Sequence, residues 1–224
     1  MNNHNIITQV SQERWQQAQA WERDAQKKIA AKGDDYNYWW FDKFDGYRAI
    51  HGRQFADVLE VGCGPNTNTR MILPFIEFER LWLEDPLIET YLKKLAKLIH
   101  LPATHLIDSL EDLSLADSSM NLVICINVLD HVQDAEKCME QMKRVLAPGG
   151  VLIIGQDLSN EEDYKLCPES WADVGHPIKL DVDFFDRFLP AQEYNALYDV
   201  LLDREQGRNP KCHYGTMCWI GEKI

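Results

Sequence analysis

A glycine-rich turn directly after an apolar run is the clearest candidate for a ligand site in this chain. The run ADVLEV leads into Gly62, Cys63 and Gly64, and a helical stretch follows. Glycine permits a sharp backbone turn and the close approach of a ligand, because it carries no Cβ atom. The pattern of strand, turn and helix therefore predicts that a ligand lies at the end of this strand.

A nicotinamide dinucleotide is one ligand that binds to such a turn. Its fingerprint, G-x-G-x-x-G, requires a third glycine at the position where this chain has Thr67. An NAD(P)-dependent oxidoreductase is therefore an alternative interpretation, and Thr67 weakens it.

The segment from Glu60 to Asn66 resembles the first motif of class I S-adenosylmethionine-dependent methyltransferases (methyltransferase type 11-like), which is commonly written E/D-x-G-x-G-x-G. Asn66 stands where the family usually has a third glycine. Asparagine is the best substitute, because it tolerates left-handed backbone angles more readily than other non-glycine residues. The resemblance implies that the cofactor is bound by Glu60, Gly62, Cys63, Gly64 and Asn66.

A second motif of the family follows in the expected order. The run RLWLEDP ends in Glu84 and Asp85. Asp85 lies 23 residues beyond Gly62, near the separation of roughly 20 at which an acidic residue reaches a ribose hydroxyl pair. Side chains alternate along the strand, so Asp85 is expected to project from the end of the strand. We therefore prefer Asp85 to Glu84 as the residue that binds the ribose. Pro86 follows, as in the family's Asp-Pro-Leu form of this motif.

The segment IDSLEDLSLADSSMNLVICINVLDHV resembles the third to fourth strand region of the same family. By this match Ser109 and Leu110 contact the adenine, with Asp108 as an alternative because the alignment is ambiguous by one residue. Asn127 and Val128 approach the methionine part. The later segment KRVLAPGGVLII resembles the family's R-V-L-K-P-G-G turn, which we interpret as structural.

The resemblance covers about residues 55–155 and implies S-adenosyl-L-methionine as cofactor, S-adenosyl-L-homocysteine as product and a small-molecule acceptor, with oxygen as the favoured atom. Much of this chemistry is the positioning of two reactants. A hydroxyl or phenol acceptor also gains from a general base. His131, just after the fourth strand, and His176, in GHPIKLD, are the candidate catalytic residues, although each has a structural role as its alternative. A non-catalytic protein that uses the fold for binding is a further alternative.

Aromatic residues crowd the segment YNYWWFDKFDGY. Such a density is typical of a lid or a pocket wall, and packing onto the core is the alternative. We expect a lid that also takes one residue from the stretch after the fifth strand. Its expected residues are Tyr36, Tyr38, Trp39, Trp40, Phe44 and Trp171.

Short apolar runs alternate with helical stretches after Gly52, and these elements must position the residues above. The pattern predicts an α/β fold with a doubly wound, seven-stranded, mostly parallel, Rossmann-like sheet. The last two runs leave no room for a crossover helix, so we expect an antiparallel hairpin at the C-terminal edge. Residues 1–52 are expected to form an N-terminal helical arm with the aromatic lid, including a helix from Ser11 to Gly33. Residues 53–224 form the cofactor domain, with an insertion at about 159–190.

Composition excludes several classes of protein. The chain has 23 Lys and Arg against 36 Asp and Glu, a formal net charge of −13, which repels a phosphate backbone and argues against nucleic acid as a substrate. No stretch approaches the roughly 20 apolar residues of a membrane helix. The N-terminal residues lack the pattern of a secretory signal, so we expect a cytoplasmic protein.

Cysteine usage and acidic residues give no clear metal motif. Six cysteines without a CxxC pair fit a reducing compartment, and the group Cys212–Cys218 has the spacing of no common zinc site. The sequence therefore predicts no metal. The alternative is that Asp130 and Asp157 hold a cationic acceptor or a divalent metal together with His131.

Overall fold

One seven-stranded sheet organises the computed structural model, which describes residues 6–30, 35–95, 101–171 and 173–224. The strand order is β3-β2-β1-β4-β5-β7-β6. The first five strands are parallel, and β7 runs antiparallel to both β5 and β6. The strands are β1 (Gln54–Val61), β2 (Glu77–Glu84), β3 (Thr104–Leu106), β4 (Met120–Ile126), β5 (Leu146–Leu158), β6 (Tyr194–Asp203) and β7 (Gly215–Lys223).

Eight α-helices accompany the sheet in the described parts of the chain. They are α1 (Gln12–Ala30), α2 (Asp35–Lys43), α3 (Thr69–Ile72), α4 (Ile88–Leu95), α5 (Ala135–Val145), α6 (Glu161–Leu166), α7 (Pro168–Trp171) and α8 (Val182–Phe188). Short 3-10 turns lie at Asp45–Ile50, Leu73–Phe75, Leu110–Asp112 and Arg204–Gln206. None of the helices described is long and apolar enough to cross a membrane.

Alternate residues of the central strands pack into two separate cores, one on each face of the sheet. On β4, Val123 and Cys125 belong to the core that includes α5 and α8, whereas Leu122 and Ile124 belong to the core that includes α2 and α4. Both faces are therefore covered, which explains why the central strands are continuous apolar runs. The predicted doubly wound α/β fold is confirmed.

The predicted C-terminal hairpin is also confirmed. Strands β6 and β7 pair antiparallel from Tyr194 opposite Lys223 to Asp203 opposite Gly215. β7 lies between β5 and β6, so β6 forms the edge of the sheet. All six cysteines are free.

The N-terminal arm packs directly on the sheet. Ser11 caps α1, because its Oγ accepts a hydrogen bond from the backbone N–H of Arg14 at 3.2 Å. The predicted end of this helix at Gly33 lies outside the described residues. Trp40 is fully buried, and a Cβ atom at Gly155 would lie only 2.7 Å from its ring. The glycine in β5 thus allows the arm to approach the centre of the sheet.

Candidate functional site

The glycine turn after β1 has the backbone that the sequence predicts at two of its three positions. Gly62 and Gly64 have φ angles of 56° and 55°, in the left-handed region that favours glycine. A Cβ atom at Gly62 would lie 2.5 Å from Cγ1 of Val128, so the turn and the end of β4 touch here. Asn66 is not among the residues with positive φ, and the expected left-handed asparagine is wrong at this position. Asn127, at the end of β4, adopts that conformation instead, with φ 54°.

Glu60 shapes the turn from inside the protein. Its side chain is 1% exposed, and its carboxylate accepts hydrogen bonds from the backbone N–H groups of Asn68 at 2.8 Å and Thr69 at 2.9 Å. The hydroxyl groups of Thr67 and Thr69 also donate to it. Burial raises the pKa of Glu60, and these hydrogen bonds oppose the rise. Glu60 therefore holds the segment after the turn and does not line the cavity described below.

Two adjacent carboxylates at the end of β2 hold the same turn from the other side. Glu84 accepts a hydrogen bond from the N–H of Gly62 at 3.1 Å, and Asp85 accepts one from the N–H of Gly64 at 3.0 Å. Asp85 also accepts from the N–H of Leu87 at 2.7 Å. Burial raises the pKa of Asp85 to about 7 and that of Glu84 well above its ordinary value. Both carboxylates are thus held in an environment that disfavours their charge.

A cavity of about 310 Å³ lies at the carboxyl ends of the parallel strands, where sheets of this type bind ligands. The turn after β1, the end of β2, the end of β4 and helix α1 all contribute to its wall. The lining residues are Trp15, Gln19, Trp21, Glu22, Tyr36, Gly62, Cys63, Gly64, Pro65, Asn66, Asn68, Glu84, Asp85, Pro86, Leu87, Tyr91, Leu110, Glu111, Ile126, Asn127, Val128, His131, Val132 and His176.

Both candidate histidines lie on this wall and contact each other. The ring centroids of His131 and His176 are 4.5 Å apart. Nδ1 of His131 is 3.0 Å from the carbonyl oxygen of Gly175, and Nδ1 of His176 is 2.5 Å from a carboxylate oxygen of Asp173. Oδ1 of Asp130 lies 3.8 Å from Nε2 of His131. The chain thus brings two imidazoles and a carboxylate to one end of the cavity.

The carboxylates and imidazole rings of this cluster shift each other's pKa values. The hydrogen bond from His176 lowers the pKa of Asp173 to about 2. Burial lowers the pKa of His176, but Asp173 and Asp130 raise it above its ordinary value overall. Burial raises the pKa of Asp130, yet the charges of His131 and His176 bring it below its ordinary value. The cluster therefore favours positive charge next to its carboxylates.

Helix α1 closes the cavity on the side of the histidines. The Arg14 guanidinium donates to the backbone carbonyl oxygens of Val174 at 2.7 Å and Asp173 at 2.6 Å. The Trp21 ring lies edge-on to His176, with centroids 5.6 Å apart, and a Cβ atom at Gly175 would collide with that ring. The arm and the segment after β5 are therefore fixed to each other above the cavity.

Most of the predicted cofactor residues lie on this wall together. They are Gly62, Cys63, Gly64, Asn66, Asp85, Pro86, Leu110, Asn127 and Val128. Ser109 is not among the lining residues; its carbonyl oxygen accepts the N–H of Asp112 at 2.9 Å. The alternative, Asp108, instead accepts two hydrogen bonds from Ser114.

The predicted aromatic lid is divided between core and surface. Trp40 and Phe44 are fully buried in the core beneath the sheet, because they pack against its apolar face, and Tyr38 is 62% exposed. Trp39 packs beside that core, and among the predicted lid residues whose side chains the structure describes only Tyr36 lies on the cavity wall. The side chain of Trp171 lies outside the described residues. The expected pocket contact is therefore wrong for Trp40 and Phe44, and packing is the correct alternative.

Several lining residues were missed at the sequence level. Trp15, Gln19 and Glu22 recur at helical spacing along α1, a signal that predicts a packed face but not a cavity wall. Glu111 accepts hydrogen bonds from the N–H groups of Gln133 and Asp134, so its first role is structural. Asp157 accepts from the Thr216 hydroxyl at 2.7 Å and does not join His131.

The sheet order with its antiparallel β7 and the cavity at the strand ends define the class I methyltransferase architecture. Residues 59–154 match the family described as "Methyltransferase domain". The match and the fold support a class I methyltransferase domain at residues 59–154, with S-adenosylmethionine as its cofactor.

Curated relatives match only part of this chain. The thiol S-methyltransferase TMT1B of Homo sapiens is 32% identical over 140 residues, which cover 61% of this chain and 55% of the relative. The TMT1B protein of Rattus norvegicus is 33% identical over 127 residues, which cover 53% of this chain and 52% of the relative. The chain thus spans about half the length of the curated relatives it matches.

Solved structures share the fold over nearly the whole chain. A chain from the complex between the Haloferax volcanii Trm112 methyltransferase activator and a methyltransferase superposes with a TM-score of 0.67, at 14% identity, and covers 90% of this chain and 96% of its own. The N-methyltransferase NodS from Bradyrhizobium japonicum, in complex with S-adenosyl-L-homocysteine, superposes with a TM-score of 0.59 at 16% identity. The superposition covers 90% of this chain and 98% of NodS. At these identities the likeness concerns the fold.

Unpartnered acceptor atoms on the wall fit the donors of the cofactor. Oε1 of Glu84, Oδ1 of Asn66 and Oδ1 of Asn68 are buried without a hydrogen-bond partner. Buried polar atoms of this kind are costly, and each suits a ligand donor. The ammonium group and the ribose hydroxyl groups of S-adenosylmethionine are such donors. The residues present therefore fit the cofactor.

Replacing Asp85 by asparagine is expected to weaken cofactor binding and, near neutral pH, to favour the folded state. We expect Asp85→Asn to weaken S-adenosylhomocysteine binding by about 1–3 kcal/mol, roughly 5- to 150-fold, because the proposed carboxylate acceptor for the ribose is lost. Isothermal titration calorimetry measures this change. Unchanged affinity in this variant, together with weaker binding in Glu84→Gln, would assign the ribose to Glu84.

The same variant should change the pH dependence of stability. A carboxyl whose pKa rises to about 7 on folding stabilises the protein below about pH 4, and this contribution is lost as the pH rises through 7. Because asparagine does not ionise, the variant keeps the stability that the native protein loses. The free energy of unfolding of the unliganded Asp85→Asn variant, minus that of the native protein, should therefore increase by up to about 4 kcal/mol between pH 4 and 8. Urea unfolding at several pH values measures the difference. A constant difference would contradict the raised pKa.

Proposed function

We propose that the protein transfers the methyl group of S-adenosylmethionine to the sulfur of a small thiol. The observation that carries this proposal is the Asp130, His131 and His176 cluster at one end of the cofactor cavity. The similarity to thiol S-methyltransferases supports sulfur as the acceptor atom. Oxygen, which the sequence favoured, is the competing acceptor.

The cluster supplies what a thiol needs in order to react. Thiols become good nucleophiles only as thiolates, and an unperturbed thiol has a pKa near 8.5. Lone pairs on the Asp130 carboxylate and on the two imidazole rings can accept a donor or stabilise a cation at this end of the cavity. The cluster therefore assists loss of the thiol proton, whereas an alcohol is far harder to deprotonate.

The remaining residues position the reactants. When bound, the cofactor supplies an electrophilic methyl group: a new sulfur–carbon bond forms as the carbon–sulfonium bond breaks, and S-adenosylhomocysteine leaves. The turn with Gly62 and Gly64 and the carboxylate of Asp85 hold the donor. Trp15 and Trp21 from α1 offer an apolar wall to the acceptor and restrict water. Such positioning accounts for about 7–11 kcal/mol of a bimolecular barrier.

Matched acceptors test the proposal. The protein should transfer labelled methyl from S-adenosylmethionine to benzyl mercaptan at least about 10-fold faster than to benzyl alcohol, because the thiol loses its proton more easily. Benzylamine is the matched nitrogen acceptor. Mass spectrometry of the methyl thioether identifies the product. Preferential labelling of the alcohol or the amine would contradict thiol methylation. So would a rate of methyl transfer that is no higher with the protein than without it for all three acceptors.

A further inference from the structure

Asp130, His131 and His176 form a compact group of potential metal ligands. One ligand atom from each residue lies within 4.8 Å of those from the other two. We propose that this group binds a divalent zinc ion at the acceptor end of the cavity. The inference goes against the absence of metal that the sequence predicts, and the geometry of the three side chains carries it.

The two imidazole rings are held as metal-binding histidines usually are. A histidine that binds a metal through one nitrogen almost always donates its other N–H to a carboxylate or a backbone carbonyl. Here Nδ1 of His131 meets the carbonyl oxygen of Gly175 at 3.0 Å, and Nδ1 of His176 meets Asp173 at 2.5 Å. Nε2 of each ring is therefore the nitrogen that remains for a ligand.

Asp130 provides an independent indication of a bound cation. The residue is only 7% exposed, and its Oδ1 atom is buried without a hydrogen-bond partner. A buried carboxylate oxygen without a partner is costly. This same oxygen lies 3.8 Å from Nε2 of His131. Two zinc bonds of about 2.0–2.2 Å at a tetrahedral angle separate their ligand atoms by about 3.4 Å, so small side-chain movements complete the site.

The ligand set selects the kind of metal. Two imidazole nitrogens and one carboxylate oxygen suit zinc, whereas magnesium and calcium prefer oxygen ligands alone. Three protein ligands also leave the fourth tetrahedral position open, as in catalytic zinc sites. His131 and His176 both line the cavity, so a fourth ligand has access from it.

The role of the metal rests on the proposed function. A thiol that enters the fourth position binds as thiolate and releases its proton to water, because zinc strongly favours the deprotonated form. The thiolate sulfur then attacks the methyl carbon. Zinc keeps its oxidation state throughout, so the step needs no oxidant or reductant.

Metal binding can be measured without any methyl transfer. After treatment with a chelator, the full chain is equilibrated with zinc chloride, and bound zinc per chain is determined by equilibrium dialysis and elemental analysis. Cobalt chloride in place of zinc gives a visible absorption spectrum that reports the coordination. We expect one equivalent of zinc in the native protein and an affinity at least about 10-fold lower in His131→Gln and His176→Gln.

Two further variants separate ligands from adventitious binding. Asp173→Asn removes the carboxylate that orients His176 and keeps an amide oxygen that can accept the N–H of Gly175, as Asp173 does at 2.8 Å, and it should weaken zinc binding about 10- to 100-fold. His51→Gln, at an exposed histidine far along the chain from the cluster, should leave zinc binding unchanged. Binding of S-adenosylhomocysteine by each variant verifies that it folds.

The outcomes distinguish the metal from the proposed reaction. No zinc bound to the native protein, or equal zinc affinity in the His131→Gln and His176→Gln variants, would overturn the site. Metal-free protein that methylates thiols as fast as zinc-loaded protein would overturn the role of the metal and leave thiol methylation standing. Normal zinc binding without methyl transfer to any thiol would overturn thiol methylation and leave the zinc site standing.

Discussion

Gly62→Ala will weaken the binding of S-adenosylhomocysteine by about 100-fold or more. The new Cβ atom would lie 2.5 and 2.6 Å from the two Cγ atoms of Val128, and the residue would have to keep a φ angle of 56°. Left-handed strain costs about 1–2 kcal/mol and overpacking about 1–3 kcal/mol. Because both costs fall on the turn that we propose holds the cofactor, the backbone must move away from the geometry that binds it.

Two controls separate steric collision from backbone strain. Gly52→Ala introduces a Cβ atom at a φ angle of 73° with no atom within 4 Å, outside the cavity wall. It should lose about 1–2 kcal/mol of stability and retain full affinity for S-adenosylhomocysteine. Adding Val128→Ala to Gly62→Ala removes the nearest two atoms and should restore part of the affinity. Titration calorimetry measures all three variants, and unchanged affinity in Gly62→Ala would refute the turn as the binding site.

His131→Gln will lower the turnover number by about 100-fold or more and leave the affinity for S-adenosylhomocysteine within about twofold of native. Glutamine keeps much of the side-chain size and can still donate to the Gly175 carbonyl, but it lacks the imidazole nitrogen. Loss of a positioned acid–base group typically costs about 10²- to 10⁴-fold.

Steady-state kinetics with a thiol acceptor test this prediction, and His51→Gln provides the control at a histidine outside the site. A loss in kcat shows that the reacting atoms are affected, whereas a loss in KM alone shows a change in acceptor binding. Native turnover in His131→Gln would remove the cluster from the reaction. A parallel loss of S-adenosylhomocysteine affinity would make His131 a cofactor contact instead.

The elements that form the proposed cofactor site could be predicted because their signals are local in sequence. The strand, the glycine turn and the acid at the next strand end are fixed by backbone geometry, so Gly62, Gly64 and Asp85 lie where their spacing indicates. The antiparallel hairpin followed from the short connection between the last two runs. Each of these inferences depends on a single supersecondary unit.

The direction of individual side chains was harder to predict. Glu60 follows Val58 on the same face of β1, and Val58 is fully buried, so alternation directs Glu60 into the interior. Thr67 and Thr69, whose hydroxyls bind its carboxylate, are the sequence signal that could have identified this role. The family motif alone placed Glu60 on the cofactor.

The acceptor half of the site depends on contacts between distant segments. Trp21 and His176 meet only because Gly175 leaves room for the indole ring, and Arg14 fixes the same two segments. No periodicity in α1 distinguishes a face that packs on the core from one that lines a cavity. For the same reason Trp40 could not be assigned to the core before its contact with Gly155 was known.

A crystal structure of the protein grown with S-adenosylhomocysteine tests the central claim most directly. We expect the amino-acid part of the molecule to lie against the turn of Gly62 and Gly64, and the ribose hydroxyl groups to lie within about 3 Å of the Asp85 carboxylate. Density for the molecule elsewhere, or a cavity that stays empty at saturating concentration, would contradict it.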